Sequence, residues 1–214
     1  EPVTVTEVQW RAVRQLLLGI DSFNKLVTLD LWQCLPGLLV SGRPGSGVSN
    51  ALQHIARQAV AQGWQLWLIA GGERWQSLLT HCERVASQEE AAALLADLDD
   101  RLTAPLSAAT LLVVDDAQAL TVPLQRLICR LARLRGMNGL RSAVGTHEAR
   151  RELLAALPTR LVGKTISSAE SDLVTGVRGL TADKLLGKGD MLLVREGERV
   201  RRLQVALAED GGEH

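Results

Sequence analysis

Short apolar runs alternate with stretches of helical period along most of the chain. "GLLVSG" (37–42) reads as a buried strand ending in a glycine turn. "SNALQHIARQAVAQG" then sets Leu52, Ile55, Ala56, Ala59 and Val60 on one helical face and stops at Gly63. "WQLWLIAGG" (64–72) predicts a second strand. "SQEE" (87–90) has capping-box form and opens a helix carrying Leu94, Leu95, Leu98 and Leu102. "TLLVVDD" (110–116) is a fully apolar strand with two carboxylates at its end. "TVPLQRLICRLARLRG" (121–136) predicts a helix with Pro123 in its first turn and Leu124, Leu127, Ile128, Leu131 and Leu134 on one face. "LRSAVGTH" is a fourth strand, "EARRELLAALP" a helix stopped by Pro158, and "RLVGKTI" a fifth strand. "SSAESDLVTG" and "TADKLLGKG" read as short capped helices. "DMLLVREGERVRRLQVAL" reads as a terminal β-hairpin turning near Glu196–Glu198.

This alternation predicts an α/β fold: a mostly parallel sheet, helices on both faces and a C-terminal β-hairpin. Sheets of this kind collect ligands at the C-terminal ends of their strands. Two candidate motifs fall at such ends. "GRPGSGVSN" (42–50) follows the first core strand and is one residue away from the phosphate-loop pattern G-x-x-x-x-G-K-[ST]. Gly42, Gly45 and Gly47 permit a backbone path whose N–H groups converge on an anion at a helix N-terminus. Arg43, Ser46 and Asn50 complete the candidate nucleotide-binding set, and Ser49 stands where a hydroxyl binds magnesium. Val48 replaces the lysine that contacts the β- and γ-phosphates, so weak or absent hydrolysis is expected, with binding less affected. A glycine-rich turn with no ligand is the alternative.

Asp115 follows Leu111–Val114, as a magnesium-site aspartate does in phosphate-loop ATPases, and with Ser49 makes the candidate magnesium pair. Asp116 stands where many such ATPases carry a water-positioning glutamate, one methylene longer. Both are candidate catalytic residues, and capping of the next turn is the alternative for each. Thr146 and His147 end the following strand, where a sensor of the γ-phosphate is expected. Arg43 is a candidate source of the missing positive charge. Arg126, Arg130 and Arg133 recur at helical spacing, with Arg135, Arg150 and Arg151 nearby. They make either a solvated face or a contact for a neighbouring subunit, an acidic peptide or a phosphate backbone. Trp75, after "GGER", is a candidate exposed contact residue.

Composition narrows the partners. Lys plus Arg and Asp plus Glu are each 24, a formal net charge of zero, so no global field gathers nucleic acid. Cys34, Cys82 and Cys129 are widely spaced and odd in number, which fits reduced thiols better than disulfides or a zinc site. No apolar run reaches the length of a membrane span, so no membrane insertion by this segment is expected, and no signal peptide is evident. A start at Glu1 rather than Met leads to the expectation of a domain excised from a longer chain. There is no internal repeat or low-complexity tract.

On these residues the chain resembles the FtsK/SpoIIIE family of ring-forming motor ATPases. The resemblance runs from "LLLGID" and "KLVTLDLWQCLPGLLVSG" through "GRPGSGVS", "LLVVDDAQAL" and "LICRLARLRGMNGLRSAVGTHEAR". "LPTRLVGKTISSAESDLVTG" and "KLLGKGDMLLV" are its most distinctive pieces. It covers about residues 16–208, and implies one domain over 1–214 with a lead-in segment (1–35) and a core (36–208). It also implies a RecA-like P-loop fold, ATP and magnesium at the strand ends, and hexameric rings or tandem arrays. Val48, Asp116 and His147 depart from the family's lysine, glutamate and glutamine, and "IAGGER" lacks its usual Asp-Pro-Lys-like ending.

Three readings follow. The first is a degenerate ATPase domain of a type VII protein secretion motor of the EccC/EssC kind. It would dock neighbouring ATPase domains or a secreted protein's signal helix, in the cytoplasm within a membrane-anchored complex. The second is a DNA translocase domain acting on double-stranded DNA. The third is a structural pseudo-ATPase that binds no nucleotide.

Overall fold

A computed structural model describes residues 15–34, 36–103, 106–135, 139–148 and 150–207. Of the expected lead-in, 1–14 and 35 lie outside the described residues. So do position 208 and the side chains of Leu134 and Arg135.

Among the described residues the chain opens with an antiparallel strand pair, β1 (Leu16–Asp21) and β2 (Leu26–Leu29). Then follow β3 (Leu38–Ser41), α1 (Val48–Ala61), β4 (Gln65–Ile69), α2 (Gln76–Leu79), β5 (Cys82–Ala86), α3 (Ala91–Arg101), β6 (Thr110–Val114), α4 (Val122–Arg135), β7 (Leu140–Thr146), α5 (Arg151–Ala156), β8 (Thr159–Val162), α6 (Ser168–Thr175), β9 (Asp190–Val194) and β10 (Arg201–Val205). These strands form one sheet in the order β2-β1-β10-β9-β8-β3-β7-β6-β4-β5. From β8 to β5 every pairing is parallel, and from β8 to β2 every pairing is antiparallel. β3 lies between β7 and β8, so the chain leaves it in one direction and later returns on its other side. That switch opens a crevice beyond the C-terminal end of β3, where the phosphate loop begins.

The central strands β3, β4, β6 and β7 are mostly apolar because both faces are covered, with Ser41, Gln65, Thr110, Arg141, Ser142 and Thr146 as the polar exceptions. Leu38, Val40, Leu66, Leu68, Leu111 and Val113 pack under α1 with Leu52, Ile55 and Ala59. Leu39, Trp67, Ile69, Leu112 and Val114 pack under α3, α4 and α5 with Leu95, Leu98, Ile128 and Leu153. Each large side chain so buried stabilises the fold by roughly 1.5–3 kcal/mol. α1 also carries polar anchors. Gln58 pairs with both the N–H and the carbonyl of Leu17, at 2.7 and 2.8 Å, and His54 Nε2 lies 2.7 Å from the same carbonyl. These bonds satisfy β1 backbone beside its register shift at Leu17–Gly19 and fix the lead-in pair to the helix that carries the phosphate loop.

The capping box forms as expected: the Ser87 N–H and hydroxyl donate to Glu90 Oε2, and the Glu90 N–H donates to Ser87 Oγ. α6 is capped by Ser167 and closed by Gly176 at φ 72°. Three expectations differ. "TADKLLGKG" holds only a single 3-10 turn, Ala182–Lys184, because its glycines at 187 and 189 take positive φ and return the chain to β9. The fifth strand ends at Val162, since Gly163 and Lys164 bend over the phosphate loop. β5 was not anticipated. It is an edge strand with Glu83, Arg84 and Val85 exposed, so it lacks the apolar signature of its neighbours.

Candidate functional site

The loop from Gly42 to Gly47 joins β3 to α1 across the crevice. Gly45 and Gly47 have φ of 80° and 101°, in the region that favours glycine, and Gly47 is the N-cap of α1. A Cβ on Gly47 would stand 2.7 Å from the backbone nitrogen of Gly189. The Ala51 N–H donates to the Gly47 carbonyl, so α1 begins at the loop and turns its N-terminus, with the first-turn N–H groups of the helix, toward it. This backbone path fits a phosphate.

Two later segments strap the loop from outside. The Arg43 N–H donates to the Lys164 carbonyl and the Gly163 N–H to the Ser41 carbonyl, at 2.8 and 2.7 Å. The N–H groups of Lys188 and Gly189 donate to the carbonyls of Gly45 and Ser46, at 3.3 and 2.8 Å. "LVGKT" and "LLGKGD" therefore hold the loop by its backbone. That is the physical content of the two stretches that the sequence singled out as distinctive.

Val48 is buried in the core, 2% exposed, with Cγ1 3.1 Å from the point where a Cβ on Gly145 would stand. Ser49, in the next position, meets Asp115 at the end of β6: Ser49 Oγ donates to Asp115 Oδ1 at 3.2 Å. The Asp116 N–H also donates to Oδ1, at 3.1 Å. The other carboxylate oxygen, Oδ2, accepts from the Trp75 indole at 3.1 Å, and Arg74 Nη1 donates to Ser49 Oγ at 2.9 Å. Asp115 and Trp75 are each 2% exposed. Burial pushes the Asp115 carboxyl above the ordinary aspartate range. The Ser49 and Trp75 hydrogen bonds and the Arg74 charge oppose the shift, Asp116 reinforces it, and the net direction is up.

The expected magnesium pair is thus assembled, but its oxygens are committed. A magnesium ion asks for about six oxygen ligands in near-octahedral geometry. Here both Asp115 oxygens face N–H or O–H donors, and the charge at the Ser49 hydroxyl is a guanidinium. As arranged, the pair does not fit a resident divalent ion.

Asp116 and His147 form a second unit. Asp116 takes φ 56°. His147 Nε2 lies 3.2 Å from Asp116 Oδ1 and Nδ1 lies 2.7 Å from the Gly42 carbonyl, so the ring bridges the β6 end to the loop. Gln118 completes the bridge, donating to Asp116 Oδ1 at 3.1 Å and accepting the His147 N–H at 3.0 Å. The Thr146 hydroxyl donates to the Glu148 carbonyl, and its own carbonyl accepts the Gly42 N–H.

The structure therefore brings Gly42, Gly45, Ser46, Gly47, Val48, Ser49, Asp115, Asp116, Thr146 and His147 to one place. The Asn50 side chain instead donates to the Ala206 carbonyl beyond β10, at 3.1 Å. The Arg43 side chain is exposed at the loop's outer edge. Trp75, expected as an exposed contact, is buried on Asp115 because the 3-10 turn Glu73–Trp75 swings it inward. Arg74, Trp75 in this role and Gln118 were missed. Arg74 and Trp75 lie in "GGERW", which departs from the ending the resemblance implies for β4 but does not by itself mark a site, and nothing in "DDAQAL" singles out Gln118. Arg126, Arg130 and Arg133 line an open groove of about 450 Å³ between α4 and α5 with Cys129, Glu152 and Ala155. Arg130 pairs with Asp99, and Arg133 donates to the Ala155 carbonyl.

No protein-family model matches the chain, and no curated protein matches it. Solved structures do. The cytoplasmic domain of the Thermomonospora curvata type VII secretion ATPase EccC is similar at TM-score 0.75 and 23% identity, over 93% of this chain and 27% of that one. Thermomonospora curvata EccC (ATPases 2 and 3) in complex with a signal sequence peptide gives TM-score 0.73 and 21% identity, over 92% and 41%. The pCW3 conjugation coupling protein TcpA, monomer form with ATPγS, gives 0.73 and 15%, over 97% and 72%. The chain spans less than half the length of both EccC chains. With its sheet order, its loop and these likenesses, the chain has the RecA-like P-loop ATPase fold.

Proposed function

We propose that this domain is a motor-ATPase module of a type VII protein secretion machine that works by docking, with little or no ATP turnover of its own. The observation that carries the reading is the double closure of the Ser49–Asp115 pair by Arg74 and Trp75. Hydrolysis needs metal and lysine charge on the transferring phosphoryl group, and a residue that orients water. Val48 supplies no charge, the metal pair is capped, and Asp116 is held by His147 and Gln118. The same network gives these residues a structural role, which is to fix the loop to the ends of β6 and β7.

The partners are neighbouring ATPase domains and the signal helix of a secreted protein. The likeness to an EccC structure that contains a signal sequence peptide supports this assignment. Ile166 and Leu186, 77% and 81% exposed, stand beside the two segments that strap the loop and offer exposed apolar contacts there. The module would serve in the cytoplasm within a membrane-anchored complex. Among the described residues no helix is long and apolar enough to cross a membrane.

The test is the affinity of the purified protein for an adjacent ATPase domain and for a signal peptide, with and without magnesium-ATP. The reading expects values equal within about threefold, a difference under 1 kcal/mol. Binding that requires nucleotide contradicts it. The second reading, a DNA translocase, draws support from the likeness to the coupling protein TcpA. The zero net charge and the pairing of Arg130 with Asp99 weigh against it. Duplex binding that falls steeply with salt would favour it.

A further inference from the structure

Where a phosphate-loop ATPase places a metal ion, this chain places its own cation. We propose that Arg74 takes the place of the divalent metal, so that the loop holds a phosphate group without magnesium. The inference deepens the reading of Gly42–Ser49 as a retained phosphate loop and does not depend on what the module docks.

Four observations carry it. The Arg74 guanidinium donates to Ser49 Oγ at 2.9 Å, the hydroxyl expected to face a metal. Both oxygens of the Asp115 carboxylate, which would neutralise part of that metal's charge, already accept hydrogen bonds, Oδ1 from Ser49 and the Asp116 N–H and Oδ2 from Trp75. The Arg74 backbone is fixed, because its carbonyl accepts from Gln53 Nε2 of α1 at 2.8 Å and the 3-10 turn carries it directly into Trp75. The loop, finally, holds an unmet polar group: Ser46 Oγ, beside Gly42 and Gly163, is buried at 1% exposure with no hydrogen-bond partner among the described residues. Buried hydroxyls are seldom left so.

Charge balance points the same way. A phosphate needs positive charge near it. Val48 supplies none, and the α1 N-terminus supplies only a partial charge. A guanidinium is permanently charged and presents five N–H donors in a planar fork that suits phosphate oxygens. One of these is spent on Ser49, and the Arg74 side chain is otherwise open to solvent. A phosphate held in this way has no metal on its oxygens, so it is bound but not activated. That agrees with the loss of the lysine.

The test measures dissociation constants for ATP, ADP, tripolyphosphate and orthophosphate, each in magnesium and in EDTA. The proteins are the wild type, Arg74→Ala and Arg74→Lys. Arg74 is exposed, so Arg74→Ala should fold, and Arg74→Lys keeps the charge while losing the fork. For the wild type, EDTA should change affinity by less than about threefold, and Arg74→Ala should weaken binding in EDTA by about tenfold or more, the usual worth of a charge-assisted bond. Arg74→Lys should fall between them. Tripolyphosphate matching ATP would assign the site to the phosphate chain alone, and ATP binding more tightly would assign it to a nucleotide. Manganese paramagnetic resonance should show no ordered ion in the wild-type complex. Wild-type binding that EDTA weakens tenfold, Arg74→Ala binding equal to wild type, or an ordered manganese would each overturn the inference. So would the absence of any phosphate binding, which would leave the docking reading intact. Nucleotide-dependent docking would overturn that reading and leave this one.

Discussion

Restoring the missing lysine is the perturbation that discriminates best. Val48 is 2% exposed and packs with Leu52, Ile55 and the β7 backbone at Gly145. In Val48→Lys the side chain must either bury an ammonium or leave the core through the loop. The first is prohibitive without a partner. The second forfeits a buried valine, worth about 1.5–3 kcal/mol, with part returned by the lysine stem. A net loss of about 2 kcal/mol in a domain of 214 residues lowers the melting temperature by roughly 4–8 °C. The variant should still release no phosphate from magnesium-ATP, because Trp75 remains on Asp115 and His147 on Asp116. Differential scanning fluorimetry and a phosphate-release assay read both outcomes. A Val48→Lys protein as stable as wild type would refute the packing argument. One that hydrolyses ATP at roughly 1 s⁻¹ or faster, a typical enzyme rate, would refute the claim that the rest of the site is closed.

Two further outcomes follow from the hydrogen bonds around α1 and Asp115. Trp75→Phe keeps the ring and removes the donor to Asp115 Oδ2, leaving a buried carboxylate short of a bond. Urea denaturation should show a loss of about 1–3 kcal/mol at pH 7.5 that shrinks as the pH falls and Asp115 takes up a proton. A loss independent of pH would remove the carboxylate from the explanation. His54, whose charged form burial disfavours, sits below the ordinary histidine value of 6.5. The unfolded chain therefore binds the proton first, and stability should fall as the pH drops below 6.5 until the folded ring also protonates. His54→Gln should flatten that part of the profile, and an unchanged profile would show that another group sets it.

Much of this was legible in the sequence, for physical reasons. Strands buried on both faces read as mostly apolar runs, so β3, β4 and β6 were plain, as were the stripe on α1 and the Ser87–Glu90 capping box, and β7 was legible through Ala143 and Val144 in spite of its Arg141 and Ser142. The loop and the acidic strand end could be paired at long range because both terminate such strands. β5 was illegible: an edge strand with three exposed positions has no reason to be apolar. The cap of Arg74 and Trp75 was illegible for a different reason. Nothing local marks "GGERW" as part of a site. Its effect arises from a 3-10 turn that places two side chains on residues 25 and 40 positions away. Trp75 was accordingly expected at the surface. The bridge from Asp116 through His147 to Gly42 is equally tertiary, joining residues 105 positions apart.

Everything proposed for the site rests on a phosphate-loop fold that turns over no ATP by itself. Phosphate release from magnesium-ATP is the decisive measurement. It should be made on the wild-type protein assembled with an adjacent ATPase domain of inactive catalytic residues, beside the same assembly carrying Asp115→Ala. The expected result is background release, indistinguishable between the two. Magnesium-dependent release by the wild type that Asp115→Ala abolishes would contradict it.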